Sequence, residues 1–167
     1  SEMCIRDSCD AAVRALLIDR VDYSSPSERE EILRTIDAGV SDLTEGDLNV
    51  LGFRQWRRAL SRGFAAHHAG MLPAFRHIVE DLFARGLLKV CFATETLALG
   101  INMPARSVVL EKLVKFNGET HADLTPGQYT QLTGRAGRRG IDTKGNAVVL
   151  WSHCLLYTSP SPRDGLL

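Results

Sequence analysis

The sequence of 167 residues lacks any excess of charge and any long apolar run. Its 20 basic and 20 acidic residues give a formal net charge of zero, so the chain has no global basic field of the kind that DNA-coating proteins carry. No segment is apolar for long enough to span a bilayer, and no signal peptide is visible at the start. Any contact with nucleic acid must therefore come from local clusters, and no membrane partner is expected.

Cysteine is scarce, and its spacing indicates no metal site. The cysteines are Cys4, Cys9, Cys91 and Cys154. They form no CxxC pair and do not lie at zinc spacing with histidine. We therefore expect a reduced, cytoplasmic protein without a bound metal, in which Cys9 and Cys91 are buried thiols.

The two ends of the sequence look foreign to the rest. Residues 1–7 can be encoded by TCG GAG ATG TGT ATA AGA GAC. The reverse complement of that word, extended by AG and read one base later, encodes residues 154–160. One DNA word in two orientations explains both ends, and it resembles a transposon-type sequencing adaptor; a natural disordered tail is the alternative. We expect residues 1–8 and 154–167 to be non-native flanks around one domain at residues 9–153.

Apolar segments alternate with helical patterns along this domain. Residues 63–67, 87–93, 107–113 and 147–151 are predicted strands, and the last three are predominantly apolar, as is typical of strands covered on both faces. Helical stripes at 10–20, 32–36 and 53–60 precede the first strand, with a further short helix suggested by Leu43, Leu48 and Leu51, and the stripe at 75–83 separates the first two strands. Phe53, Trp56 and Leu60 have core spacing rather than that of a base-stacking platform. This alternation predicts an α/β fold with a parallel sheet, whose ligands lie beyond the carboxyl ends of the strands.

Helix starts are marked by serine, threonine and proline. Residues 24–27 offer N-cap chemistry for a helix that ends near Gly39, and Pro73 lies where a first-turn proline belongs in a helix that Gly86 closes. Thr125 and Gln128 form a capping box around Pro126. That last helix leads into the segment with the most chemical information.

Residues 131–140 read Gln-Leu-Thr-Gly-Arg-Ala-Gly-Arg-Arg-Gly. We expect Gln131 and Arg135 to project from the same side of the capped helix, and Arg138 to lie on the loop after it. Gly134 and Gly137 would remove bulk where the backbone approaches a ligand. Two guanidinium groups that converge without an acidic neighbour would repel each other, so the pattern indicates a polyanion such as a triphosphate. A solvated basic turn is the alternative.

A second segment, residues 93–104, follows the buried strand at 87–93. Thr94 can cap the turn after the strand, and the free N–H groups of that turn suit a nucleic-acid phosphate. Gly100 ends the turn, and Asn102 begins the segment that leaves it, whose backbone Pro104 makes rigid. An ordinary capping turn between strand and helix is the alternative.

A third segment, residues 67–71, contains two adjacent histidines and a glycine before the helix that Pro73 starts. Adjacent side chains of a strand point to opposite faces, so His67 and His68 cannot easily share a metal. A contact between the Gly70 backbone and a phosphate is the functional interpretation. A core histidine with satisfied hydrogen bonds is equally compatible with His67.

Together these segments resemble motifs IVa, V and VI of the DExH-box helicases of superfamily two. The stretch from Gly63 to Trp151 resembles the superkiller and exosome-helicase branch in its actinobacterial form. The segment Lys-Phe-Asn-Gly at residues 115–118, together with the segment at residues 127–131, indicates this RNA branch rather than the DNA-repair relatives. Residues 9–13 resemble the helix that follows motif IV, whose preceding strand is absent. The resemblance implies a RecA-like second motor domain, truncated at its N-terminal strand.

The resemblance also implies a role for each candidate residue. Arg138 would be the arginine finger on the γ-phosphate of ATP, with Arg135 beside it and Gln131 monitoring the same phosphate. Gly100 and Asn102 would lie near the nucleotide. The remaining candidates would contact RNA phosphates, and these are Thr94, Gly70 and His68.

Two motifs that such an enzyme needs are missing from the sequence. No G-x-x-x-x-G-K-[ST] loop and no D-E-x-H run is present. The resemblance assigns both, together with Mg²⁺, to a first RecA-like domain outside this chain, so we expect the chain alone to be inactive. The alternatives are the corresponding half of a DNA-repair helicase and a non-catalytic module that binds RNA or nucleotide.

Overall fold

The computed structural model describes residues 2–41, 43–44, 46, 52–94, 105–116, 121–138 and 140–150. These residues belong to two units, the first within Ser1–Met103 and the second within Pro104–Leu167. In this described part of the chain, no helix has the length and apolar character needed to cross a membrane.

The first unit contains four described helices around a pair of strands. In chain order these are α1 (Glu2–Ile18), α2 (Pro26–Gly39), α3 (Phe53–Ser61), β1 (Phe64–His67), α4 (Pro73–Ala84) and β2 (Val90–Ala93). The strands β1 and β2 are parallel, with Phe64 opposite Val90 and His67 opposite Ala93. The predicted α/β class with parallel pairing is therefore confirmed.

The predicted start of α2 is confirmed in atomic detail. The Ser25 hydroxyl accepts a hydrogen bond from the Glu28 N–H at 3.3 Å, and the Glu28 carboxylate accepts one from the Ser25 N–H at 2.8 Å. Lys89 also donates to Glu28 at 2.7 Å, and with Ser25 it lowers the pKa of Glu28 to about 2. This capping box fixes the first turn, and α2 ends at Gly39 as expected.

Two apolar clusters fill the first unit, one on each face of the strand pair. On the α1 face, Cys9 and Val13 pack with Phe64 and Ala66. The larger cluster buries side chains of α2, α3 and α4 together with the turn that precedes β2: Ile32, Ile36, Leu60, Phe75, Ile78, Val79, Leu82, Leu87 and Leu88. Because alternate residues of a strand point to opposite faces, Phe64 and Ala65 join different clusters.

Trp56 belongs to the core, as its spacing predicts. Its ring stacks on Phe75, with centroids 4.2 Å apart and planes 14° apart, and Phe53 packs beside both rings. Leu60, one turn further along α3, is fully buried. The predicted buried thiol is confirmed for Cys9; Cys91 is half-buried against the larger cluster, where burial raises its pKa to about 12.

The second unit contains shorter elements. These are β3 (Ser107–Leu110), β4 (Val114–Phe116), β5 (His121–Asp123), α5 (Pro126–Thr133) and β6 (Asn146–Val149). Strands β3 and β6 are parallel, whereas β4 and β5 form an antiparallel pair that the sequence pattern did not predict. The expectation that both faces of the strands near residues 107–113 and 147–151 are covered is not met, since Val109 is 56% exposed and Val148 is 44% exposed. No residue of α5, the helix described in this unit, is buried.

Some sequence predictions lie outside the described residues. This applies to the suggested helix at Leu48 and Leu51, to the end of the segment at residues 115–118, and to Trp151.

Candidate functional site

Helix α5 begins where the sequence predicts and ends two residues before Arg135. The Thr125 hydroxyl accepts from the Gln128 N–H at 3.3 Å, and the Gln128 side chain accepts from the Thr125 N–H at 3.0 Å. The last helical residue is Thr133, and Gly134 is the C-cap. Gln131 is therefore on the helix, but the expectation that Arg135 shares its helical face is wrong, because the helix stops before it.

Arg135 lies instead in a turn that is hydrogen-bonded to the chain before β3. Its carbonyl oxygen accepts from the Ala105 N–H at 3.1 Å, and the Gly137 N–H donates to the Ala105 carbonyl at 2.7 Å. These bonds form an isolated parallel bridge between Ala105 and Ala136. The backbone of the basic segment is thus tied to the start of a strand.

Arg138 lies on the loop after the helix, as predicted, but it has an acidic partner that the sequence analysis missed. Its Nε donates to Oδ2 of Asp142 at 2.8 Å, and its Nη2 donates to Oδ1 at 2.9 Å. The Arg138 backbone N–H donates to the same Oδ2 at 2.9 Å, and the Asp142 N–H donates to the Arg138 carbonyl at 2.9 Å. The argument that the arginines converge without an acidic neighbour is therefore wrong.

The charges of this pair stabilise each other. The Arg138 guanidinium, and after it the Arg138 backbone N–H, lower the pKa of Asp142 to about 2, while Asp142 raises the pKa of Arg138 above its already high value. Both groups are ionised throughout the neutral range. The two side-chain bonds use the Nε–H and one N–H of Nη2, so the Nη1 edge lies outside the pair. The Arg138 side chain as a whole is 37% exposed, so part of it is accessible to a ligand.

Glycines bring two stretches of this loop into direct backbone contact. A Cβ added at Gly145 would lie 2.3 Å from the Ala136 carbonyl oxygen and 2.6 Å from the Gly137 nitrogen. Gly137 has φ +92°, and a Cβ there would lie 3.1 Å from the Gly145 Cα. Gly137 was predicted to admit a ligand, whereas in the structure it admits another part of the chain. Gly145 was missed altogether, because its requirement is a tertiary contact.

An open groove borders the same loop. It has a volume of about 480 Å³ and is lined by Arg106, Ile141, Asp142, Thr143, Lys144 and Asn146. Arg106 also contributes to the lowered pKa of Asp142. The groove thus adds two cationic side chains, Arg106 and Lys144, to the surroundings of Arg138.

The other predicted residues that the structure describes lie in the first unit, at the carboxyl ends of β1 and β2. Thr94 follows β2 directly, and its N–H donates to the His67 carbonyl at 3.2 Å. Gly70 is exposed in the turn between β1 and α4. The N-cap of α4 is Leu72, which supplies no side-chain hydrogen bond to the first turn of that helix. Thr94 and this turn therefore share one edge of the strand pair, where ligands of parallel sheets bind.

The two histidines point in opposite directions, as predicted. His67 Nε2 lies 2.9 Å from the Glu80 carboxylate on α4, whereas His68 Nε2 lies 3.4 Å from the Asp10 carboxylate on α1. Both rings are buried, and neither Nδ1 atom has a hydrogen-bond partner. Among the described residues, no group of His, Cys, Asp and Glu side chains could hold a metal ion.

Gly100, Asn102 and Pro104 lie outside the described residues, so their predicted positions stay predictions.

Comparison with known proteins identifies the family of this chain. Residues 47–140, more than half of the chain, match the model of the helicase conserved C-terminal domain. The chain belongs to this family. The helicase C-terminal domain includes both the turn around Gly70 and the basic segment at residues 131–140.

Several helicases are similar to this domain. The probable helicase HelY of Mycobacterium leprae is 61% identical over 161 residues, which is 96% of this chain and 18% of that protein. The HelY protein of Mycobacterium tuberculosis H37Rv is 65% identical over 146 residues, which is 87% of this chain and 16% of that protein. The human superkiller complex protein 2 is 43% identical over 145 residues, which is 87% of this chain and 12% of that protein. The resemblance to the superkiller branch of DExH-box helicases is confirmed, and the chain spans less than a fifth of the length of these relatives.

Proposed function

We propose that this chain is the second RecA-like motor domain of an ATP-dependent RNA helicase, and that Arg138 is its arginine finger. The observation that carries the proposal is the Arg138 guanidinium, held by Asp142 on a loop that Ala105 and Gly145 fix on two sides. A rigid, partly exposed cation of this kind can stabilise the charge that develops on a transferring phosphoryl group.

The electrostatics of the loop support a polyanionic ligand. Asp142 neutralises much of the Arg138 charge, and Arg106 and Lys144 in the adjoining groove supply further positive charge. A triphosphate carries several negative charges, and its oxygens can accept from more than one of these donors. Gln131, exposed on the last turns of α5, would contact the same phosphate.

In this proposal, Thr94, Gly70 and His68 contact RNA phosphates. Support comes from the first turn of α4, whose N–H groups receive no side-chain cap from Leu72 and whose helix dipole favours an anion. The His68 side chain is only 10% exposed, so His68 would act through its backbone and by holding the turn. Contacts of this kind position a nucleic acid without reading its sequence.

The family resemblance implies that Gly100 and Asn102 would also lie near the nucleotide. The phosphate loop, the DExH box and Mg²⁺ would come from a first RecA-like domain, since this sequence contains neither motif. ATP would then be hydrolysed between the two domains, and their closure would couple hydrolysis to strand separation.

We propose RNA rather than DNA as the substrate for two reasons. One is the segment at residues 115–118. The other is the name of a relative 45% identical over 145 residues, the DExH-box ATP-dependent RNA helicase DExH11 of Arabidopsis thaliana.

The test uses the full-length HelY protein of M. tuberculosis H37Rv, 65% identical to this chain, with substitutions at the aligned positions. Arg138→Ala is expected to lower RNA-stimulated ATP turnover by about a thousandfold to a hundred-thousandfold, as for other arginine fingers, without weakening RNA binding. The matched control is Arg57→Ala, because Arg57 also forms a two-pronged pair, with Asp37, but lies far along the chain from the basic segment.

Normal turnover in the Arg138→Ala enzyme would refute the finger assignment. Stimulation of the unsubstituted enzyme by single-stranded DNA but not by RNA would instead favour the DNA-repair alternative.

A further inference from the structure

We propose that Asp142 is a positioning residue for the arginine finger: it holds the Arg138 guanidinium in the orientation that meets the triphosphate. This inference rests on the proposed function, because it assigns a direction to the finger. It concerns a carboxylate that makes no contact with the nucleotide in the proposal and acts only through Arg138.

The hydrogen bonds fix both ends of the Arg138 side chain. The two-pronged contact from Nε and Nη2 to the two carboxylate oxygens sets the plane of the guanidinium, which a single bond could not do. The bond from the Arg138 backbone N–H to Oδ2 fixes the root of the side chain to the same carboxylate. Asp142 therefore sets the direction of the Nη1 edge, which these bonds do not use.

Burial distinguishes this pair from an ordinary surface ion pair. In the pair of Arg57 with Asp37, the carboxylate is 60% exposed and the arginine 36% exposed. In the pair of Arg138 with Asp142, the arginine is 37% exposed but the carboxylate only 9%. The carboxylate is thus built into the loop, and the cation is presented to the outside.

The arrangement has opposite effects on the ground state and the transition state. Asp142 reduces the net positive charge that ATP meets, so removing it should not weaken ATP binding. It also removes the rotational freedom of the guanidinium before the reaction, and catalysis depends steeply on such alignment. Loss of Asp142 should therefore lower kcat while leaving the KM for ATP unchanged or lower.

The test uses Asp142→Asn in the same full-length HelY enzyme, because asparagine keeps the shape of aspartate but cannot accept both arms of the guanidinium. We expect kcat to fall by about a hundredfold, as for a reacting group displaced by roughly 1 Å, with unchanged RNA binding. Asp37→Asn is the matched control and should keep the kcat of the unsubstituted enzyme.

A double-mutant cycle separates positioning from a general effect on the fold. Lysine cannot make the two-pronged contact, so Asp142→Asn should add little to the defect of Arg138→Lys if it acts only through Arg138. Additive defects, or a kcat for Asp142→Asn equal to that of the unsubstituted enzyme, would overturn the positioning role. Full turnover in the Arg138→Ala enzyme would instead overturn the finger assignment, so the two failures are distinguishable.

Discussion

Among the residues that the structure describes, packed apolar side chains stabilise the first unit of this chain, whereas the second is stabilised by backbone contacts and by the ion pair of Arg138 with Asp142. All the buried apolar residues among those described, including Phe64, Ile36 and Leu82, lie in the first unit. In the second unit no residue of α5 is buried, and the arginine loop is fixed by Ala105, Gly145 and Asp142. A loop held by polar contacts keeps a charged side chain rigid and accessible, which a packed apolar core would not allow.

The largest expected effect is a loss of stability confined to the first unit. Phe64→Ala should lower the free energy of unfolding by about 3–5 kcal/mol, because it leaves a cavity at a fully buried position. Val148→Ala, at a position 44% exposed in β6, should cost about 0.5 kcal/mol or less. Urea denaturation, monitored by hydrogen exchange of the strand amides, would measure the loss of stability in both variants. Equal losses of unfolding free energy would contradict the difference between the two units.

The next largest effect should come from a single methyl group in the second unit. Gly145→Ala places a Cβ 2.3 Å from the Ala136 carbonyl oxygen, so the arginine loop must move. In full-length HelY, with alanine at the aligned position, we expect ATP turnover to fall by about a hundredfold. Gly127→Ala is the control, since a Cβ at Gly127 meets nothing within 4 Å. Normal turnover in the Gly145→Ala enzyme would show that the loop is not fixed by this contact.

Removal of the N-cap should have a smaller effect, and one that differs between α2 and α5. Their capping boxes have the same local chemistry but lie in different surroundings. Ser25→Ala and Thr125→Ala each remove an N-cap worth about 1 kcal/mol. Helix α2 is anchored by buried Ile32 and Ile36 and should stay helical, whereas α5 has no buried residue and should fray. Secondary chemical shifts from NMR would report this difference; intact α5 in the Thr125→Ala protein would contradict it.

The smallest effect should be that of pH near neutrality. The pKa values of Glu28 in the first unit and Asp142 in the second are both lowered to about 2. A carboxylate with a lowered pKa contributes stability above its ordinary pKa, and that contribution is lost as the pH falls through the folded value. The NMR signal of the Arg138 Nε–H should therefore persist from about pH 8 down through the ordinary aspartate pKa of about 4, and weaken only as the pH approaches 2. Its loss near pH 6 would contradict the lowered pKa of Asp142.

Features that depend on local chemistry could be predicted from the sequence. The starts of α2 and α5 follow from side chains three residues apart, and the position of Arg138 on a loop follows from the glycines around it. The burial of Leu60 and Val79 follows from helical periodicity. In each case the determining atoms lie within a few residues of each other.

Features that depend on tertiary contacts could not be predicted. The pairing of β4 with β5 and the approach of Gly145 to Ala136 require knowledge of where distant chain segments meet. Asp142 is a special case, because it lies four residues after Arg138 and its spacing was visible. It was missed because the segment was expected to hold only cations for a polyanion.

In the proposed mechanism, Asp142 holds the Arg138 guanidinium in contact with the γ-phosphate of ATP. The most direct test is a structure of full-length HelY with RNA and a non-hydrolysable ATP analogue. We expect Nη1 of the aligned arginine to lie within hydrogen-bonding distance of a γ-phosphate oxygen. Its Nε and Nη2 should keep their contacts with the aligned aspartate. A guanidinium that points into solvent, or that reaches the phosphate only after leaving the aspartate, would contradict it.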